Sequence, residues 1–278
     1  MTNPAPQFRP RRSRSGGRQS RPWLRYAGLS GVAAILIVGA ILAFVFARGN
    51  GNDSPPGAPT PGSTAGTAGG PEPVLDPPAY AYVVQVGDIG PTHETGPIET
   101  FIISADGFSS SGYFAAISAG EQAVEEWGYL DGYQALLQPV GQAADAAQGK
   151  PYVRTESFIF RTVDGARTAF DYLVRFHEQR PGSEKVEVAP LGNASAAFSI
   201  VQGTIPNTEL PAVYNRFLFR RGNLVTIVQV FGALQFTSMD DARDFAVIVD
   251  QKALGERPAP TPTPGTSSGP GVPATTTP

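Results

Sequence analysis

The strongest pattern along the chain is an uncharged apolar run, AGLSGVAAILIVGAILAFVFA, over residues 27–47. At about 1.5 Å per residue such a segment, as a helix, spans roughly 31 Å, the thickness of a bilayer's hydrocarbon core. All backbone polar groups are satisfied within a helix, which lipid requires. The run therefore predicts one transmembrane helix.

Past residue 80 the apolar positions recur with shorter periods. Ala79–Val86 (AYAYVVQV) is aromatic and β-branched and predicts a strand, and Phe101–Ile103 a short one. Ser118 and Glu121 have capping-box spacing, which predicts a helix running to Trp127 and stopped by Gly128. Strands are predicted at Tyr129–Gln138 and Tyr152–Thr162. Over Asp164–Glu178, Ala166, Phe170, Leu173 and His177 follow helical spacing, with Thr162 as the cap. Further strands are expected at Lys185–Val188, Ala194–Gln202, Ala212–Arg221 and Leu224–Phe231, and a last helix over Thr237–Leu254. Gly222-Asn223 supplies a two-residue hairpin turn. It sets Arg221 opposite Leu224, Phe219 opposite Thr226, Phe217 opposite Val228, Leu218 opposite Ile227 and Tyr214 opposite Phe231. Both faces of that hairpin are apolar, so it is expected to be central and covered on both sides. The segments at 160–167 and 236–243 echo each other, each turning into a helix with a hydroxyl cap and an acid in the first turn. The fold class is α+β: a mostly antiparallel sheet of about five to seven strands with packed helices, preceded by the transmembrane helix.

Two tracts carry no such period. Residues 48–79 and 257–278 are dominated by Gly, Pro, Ser and Thr, and predict a spacer and a tail without secondary structure. The chain thus divides into a basic tail (1–26), the transmembrane helix (27–47), the spacer (48–79), a globular domain (80–256) and the Pro/Thr tail (257–278).

Charge orients this arrangement. Seven arginines (Arg9, Arg11, Arg12, Arg14, Arg18, Arg21, Arg25) and no acid precede the apolar run, and only Arg48 follows closely. The positive-inside rule then keeps the N-terminus cytoplasmic and exports the rest of a single-pass chain. Trp23 and Tyr26 fall at the expected interface, and the arginines are expected to attract anionic lipid. A cleaved signal peptide is an alternative, with Val45-Phe46-Ala47 as the small-residue site, although its apolar region is normally shorter. A twin-arginine signal at Arg11-Arg12 lacks the apolar pair that should follow.

Residues 80–256 hold 12 basic and 21 acidic side chains, a balance of −9. Such a domain repels phosphate backbones, so nucleic acid is not an expected partner. There is no cysteine, which excludes disulfides, thiolate metal sites and a cysteine nucleophile. An exported domain without disulfides, in a chain that uses Arg far more than Lys, points to a bacterial surface.

The order WGYLDGY (127–133), strand, Gly165-Ala166-Arg167 helix, Leu191-Gly192-Asn193 and then Phe219-Arg220-Arg221-Gly222-Asn223 resembles bacterial extracytoplasmic domains carried on signal or lipid anchors, broadly PsbP/Mog1-like in architecture. The resemblance covers under half the chain. Its motifs are turns and caps, so it implies no catalytic residues, and the lipid-anchored members need a cysteine that this chain lacks.

Candidate chemistry is sparse. His177 is expected to have a structural role in the last turn of its helix, where a cation is favoured by the helix dipole. Asp88, His93, Glu94 and Glu99 gather hard-cation ligands in one loop region. Arg216, Arg220 and Arg221 lie close in sequence on the hairpin and suit a carboxylate or phosphate. Glu125-Glu126 diverge on a helix, and Asp240-Asp241 fit a helix start. No Gly-x-Ser-x-Gly elbow, dinucleotide fingerprint or phosphate loop is present. The expected function is a non-enzymatic binding, sensing or accessory module at the outer face of the membrane, without a cofactor, with cell-wall or surface proteins as further partners. A carboxylate-dependent surface hydrolase and a cell-wall tether are the alternatives.

Overall fold

The computed structural model describes residues 70–96 and 99–258. The apolar run 27–47, the arginine-rich tail, residues 48–69 of the expected spacer and most of the Pro/Thr tail lie outside the described residues. Among those described, no helix is long and apolar enough to cross a membrane.

Eight strands form one antiparallel sheet: β1 (His93–Thr95), β2 (Phe101–Ile103), β3 (Tyr129–Pro139), β4 (Tyr152–Phe160), β5 (Glu184–Lys185), β6 (Ala194–Thr204), β7 (Pro211–Arg221) and β8 (Leu224–Ala233). The spatial order is β1-β3-β4-β8-β7-β6-β5, and β2 pairs with β3 on the same edge as β1. The helices are α1 (Val86–Ile89), α2 (Ala105–Ser109), α3 (Ile117–Trp127), α4 (Gln142–Ala146), α5 (Val163–Glu178) and α6 (Met239–Ala253). The class is α+β as expected. The sheet has one strand more than the upper expectation, and β1, which falls where the sequence reads as a loop, pairs with the edge of β3.

The central hairpin adopts the expected register throughout, Arg221 opposite Leu224 and Tyr214 opposite Phe231 included. It is flanked by β4 and β6 and covered on both faces. On one face α3 and α5 pack over Phe158, Phe160, Phe198, Leu218, Val225 and Ile227. On the other, α6 lays Ala242, Ala246, Val249 and Ala253 over Phe217, Phe219, Val228 and Val230. Alternation with period two sends successive β7 side chains to opposite layers, which is why both layers are apolar.

Helix ends follow local chemistry in three cases. The Thr162 hydroxyl accepts from the Gly165 amide. Ser238 and Asp241 form a reciprocal box at the start of α6. Gly128 ends α3 in the left-handed region at φ 67°. The start of α3 differs from expectation. It begins at Ile117 after Ala116, with no side-chain cap, so Ser118 and Glu121 lie inside the helix rather than forming a box.

Three further segments depart from the pattern. Ala79–Val86 is not a strand: Ala79–Tyr82 is a 3-10 turn and Val86–Ile89 a short helix. The apolar residues Ala79, Val83 and Val84 are buried all the same, Ala79 and Val84 within the α6 layer. The Asp131 carboxylate takes the Ala79 amide (2.7 Å), Pro78 accepts from Ala81, and Asp88 closes the box on Gln85. Local side chains and turns thus satisfy backbone groups that a strand would need a free sheet edge to pair. The strand expected at Lys185–Val188 is reduced to Glu184–Lys185.

The third departure is at the domain boundary. Residues 70–75, expected within the spacer, run along the tip of the central hairpin. Asn193 Nδ2 donates to the carbonyls of Gly70 and Pro71, while its Oδ1 accepts from the Gly222 amide. Asn223 holds Leu75 through both its amide and its carbonyl (2.6 and 2.9 Å). Glu72 pairs with Arg220 at 2.8 Å. The two Gly-Asn turns therefore clip the incoming chain onto the domain.

Candidate functional site

A polar row crosses the face of the sheet that α5 covers. Cross-strand register aligns Leu136, Arg154, Gln229, Arg216 and Phe198 from β3 to β6. The next row along is Gln134, Glu156, Ile227, Leu218 and Ala196. At the C-terminal end of α5 the His177 ring stacks on Phe198 of the first row. That end supplies His177, and the turn after it supplies Arg180. The segment between α2 and α3 brings in Tyr113, whose carbonyl is held by the Tyr172 hydroxyl of α5 at 2.8 Å.

Within this cluster Glu156 is fully engaged. Arg154 Nη2 lies 2.7 Å from Oε1 and the Tyr113 hydroxyl donates to Oε2 at 2.5 Å. Arg154 also donates to Gln134 Oε1, and Gln134 in turn donates to the Glu99 carbonyl oxygen. Arg216 is 1% exposed. Its Nε donates to Gln229 Oε1 at 2.7 Å, and neither Nη1 nor Nη2 finds a hydrogen-bond acceptor. His177 is also buried with both ring nitrogens unbonded, its ring stacked on Phe198 and edge-on to Phe176 and Tyr113.

Burial governs the protonation of these groups. It lowers Arg216 to about 9, helped by the charge of Arg180. It holds His177 well below its ordinary value, with Arg216 adding repulsion. Tyr113 is driven well above its usual value by burial and then by the Glu156 carboxylate. Burial also raises Glu99, which lies near Arg154 and Glu156. The dipole's preference for a cation at His177 is therefore overridden. The ring faces the apolar layer and the guanidinium groups of Arg216, Arg180 and Arg154 rather than solvent at the helix end, so it is neutral.

The three hairpin arginines are not one cluster. Alternation along β7 puts Arg221 on the α6 face, where its Nε and Nη2 engage both oxygens of Asp250 at 2.7 and 2.8 Å. Arg220 shares the face of Arg216 but is a full strand turn nearer the hairpin tip, bonded to the Gly222 carbonyl and Glu72. Of the three, Arg216 has both terminal nitrogens unbonded, whereas Arg220 leaves only its Nε without a partner. The four residues of the expected cation loop are likewise spread. Asp88 binds Lys252 (2.6 Å) and Arg257 (3.1 Å). His93 Nε2 donates to the Pro151 carbonyl at 2.8 Å, leaving Nδ1 to the Thr92 hydroxyl. Glu94 accepts from Gln138, and Glu99 belongs to the polar cluster. Among the described residues, no three or more His, Asp or Glu side chains gather around a common point.

No protein-family model and no curated protein matches the chain. Among solved structures, the extracellular domain of PknH from Mycobacterium tuberculosis is similar, at 12% identity and a TM-score of 0.42, over 63% of this chain and 94% of that one. That comparison bears on neither of the names, PsbP and Mog1, suggested by the sequence resemblance.

Sequence reasoning singled out Arg216, Glu99 and His177 but not Tyr113, Gln134, Arg154, Glu156, Arg180 or Gln229. The available signal was alternation. Arg154 and Glu156 share a strand face with Phe158 and Phe160, and Gln229 shares one with Ile227 and Phe231. Charged and amide side chains on the inward face of an otherwise apolar strand are costly to bury, and they mark a site or a network.

Proposed function

We propose that this chain is a membrane-anchored, extracytoplasmic ligand-binding module, and that its ligand site is the polar cluster beneath the end of α5. The anchor is residues 27–47, with the preceding arginines on the cytoplasmic side at anionic lipid. The observation that carries the binding reading is Arg216, a buried guanidinium whose Nη1 and Nη2 have no acceptor. A buried cation left unsatisfied costs stability, and such groups persist where function uses them. Arg154, Arg180 and Glu99 are the partly exposed members of the cluster and mark the side from which a ligand enters. The antiparallel sheet, clamped between two helical layers, gives the cluster a rigid floor.

One observation favours the hydrolase reading. Glu99, raised by burial, stands near Glu156, a pairing of carboxylates with different environments that acid–base chemistry employs. Against it, both Glu156 oxygens are already engaged by Arg154 and Tyr113.

The test is native mass spectrometry of the full chain, released from detergent after incubation with the small-molecule fraction of a cell extract. The expected result is a saturable adduct that is recovered with its mass unchanged. Recovery of a cleaved compound would establish the hydrolase instead. Absence of any adduct, with no change in melting temperature, would overturn the binding reading.

A further inference from the structure

The unsatisfied groups also specify what kind of molecule fits. We infer that the ligand is a small monocarboxylate with an apolar body, its carboxylate seated on the Nη1/Nη2 fork of Arg216. This rests on reading the polar cluster as a ligand site.

The cluster's acceptors serve other donors: Gln229 Oε1 takes Arg216 Nε, Gln134 Oε1 takes Arg154, and the two Glu156 oxygens take Arg154 and Tyr113, while Arg216 Nη1 and Nη2 reach none of them. Arg216 retains four N–H bonds on Nη1 and Nη2 with no acceptor. The neutral His177 ring adds one further N–H, also without a partner. The cluster has donors in excess, so its complement is a group that only accepts. The two terminal nitrogens of a guanidinium present parallel N–H bonds in one plane, which matches the two oxygens of a carboxylate.

Charge sets the valence. Among the described residues Arg216 makes no ion pair, and the carboxylate near it, Glu156, is bonded to Arg154 and Tyr113, so the Arg216 guanidinium leaves one positive charge to balance. A monocarboxylate balances it. A phosphate dianion would leave a buried negative charge in a site that already holds two carboxylates.

The walls set the rest of the molecule. On its own strand Arg216 lies between Tyr214 and Leu218, both buried. The Tyr214 ring stacks on Phe231 at 4.6 Å, with Tyr152 against the far side of Phe231 at 5.7 Å. Phe198 and Phe176 flank His177. A ligand body that reaches the Arg216 fork would meet these apolar side chains, where an aliphatic or aromatic group is favoured and a polyhydroxylated one would leave hydroxyls unpaired.

The experiment uses the full chain in detergent micelles at neutral pH, with phenylacetate and 3-methylbutanoate as probes. Phenylacetamide and inorganic phosphate serve as controls. Thermal unfolding and isothermal titration report binding. Both carboxylates are expected to raise the melting temperature saturably, and the amide and phosphate are not. Arg216→Lys, which keeps the charge but loses the fork, should weaken the carboxylate at least about tenfold. Arg216→Met should abolish the response and by itself melt no lower than the wild type, because it removes a buried unpaired charge and keeps the apolar stem. Should Arg216→Met fail to fold, the wild-type discrimination between phenylacetate and phenylacetamide decides alone. A wild-type response to phosphate but to neither carboxylate would overturn the monocarboxylate while leaving a ligand site in place. So would an extract-derived adduct without a response to either carboxylate. An unchanged carboxylate response in Arg216→Lys would remove Arg216 from the site. Failure of the binding reading itself is a separate result: no adduct and no response to any probe.

Discussion

Arg221 of β7 and Asp250 of α6 face each other as a two-point ion pair, Nε to Oδ1 at 2.7 Å and Nη2 to Oδ2 at 2.8 Å, both side chains 7% exposed. This pair fixes the last helix to the tip of the central hairpin. It sits on the opposite face from Arg216, five positions earlier on the same strand. Two buried arginines on one strand therefore have opposite fates, one fully paired and one not. Removing a single partner of a buried pair leaves an uncompensated charge, which costs about 3–5 kcal/mol. Asp250→Ala should lower the urea midpoint by that measure. A loss below about 1 kcal/mol would place the pair with surface ion pairs instead.

Gly222 is the second position where a single atom matters. Its φ is 56°, and a Cβ there would overlap the Pro73 carbonyl oxygen. Gly222→Ala is expected to cost about 1–2 kcal/mol from the left-handed backbone alone. It should also push residues 70–75 off the hairpin tip. The readout is hydrogen exchange at the Leu75 amide, which donates to Asn223 Oδ1 at 2.6 Å. Its exchange should accelerate more than that of strand amides such as Val228. Equal protection in the two proteins would mean that the clip does not depend on this turn.

His177 makes stability depend on pH with a definite sign. In the fold its ring is neutral, held well below the ordinary value of 6.5 by burial. Unfolded, it takes up a proton near 6.5. The unfolded state thus binds more protons below that pH, so stability is full above about pH 6.5 and falls as the pH drops towards the folded value. The slope reaches at most about 1.4 kcal/mol per pH unit. Glu99 acts the other way at lower pH, because its carboxyl is raised above 4.5 in the fold and retains its proton there. Urea midpoints at pH 7 and pH 5.5 should differ in the wild type and coincide more closely in His177→Leu. A wild-type midpoint that does not move would contradict a buried neutral ring.

Topology is testable independently of the fold. Residues 1–26 are expected in the cytoplasm and residues after Arg48 outside. An alkaline-phosphatase reporter should be active at the C-terminus and inactive at the N-terminus. Activity at the N-terminus would reverse the orientation, and mature protein starting at Arg48 would show a cleaved signal.

Sequence alone determined those features whose causes act within a few residues. Helices α5 and α6 were legible from apolar spacing and hydroxyl caps at Thr162 and Ser238. The hairpin register followed from Gly222-Asn223, because a two-residue turn leaves no freedom in pairing. Burial on both of its faces followed from apolar residues in both phases of the alternation. Ala79–Val86 has strand composition, yet whether a strand forms depends on a free sheet edge, which no local pattern records. Only the tertiary structure decided that Tyr113, Arg154, Glu156, His177 and Arg216 would meet. They come from β4, β7, the end of α5 and a loop before α3, and cross-strand register sets their spacing. The same assembly separated Arg216 from Arg220 and Arg221, three arginines that sequence places together. It also made His177 a buried neutral ring rather than a cation at the helix end, because protonation answers to the solvent and charges that packing brings near, and these are long-range facts.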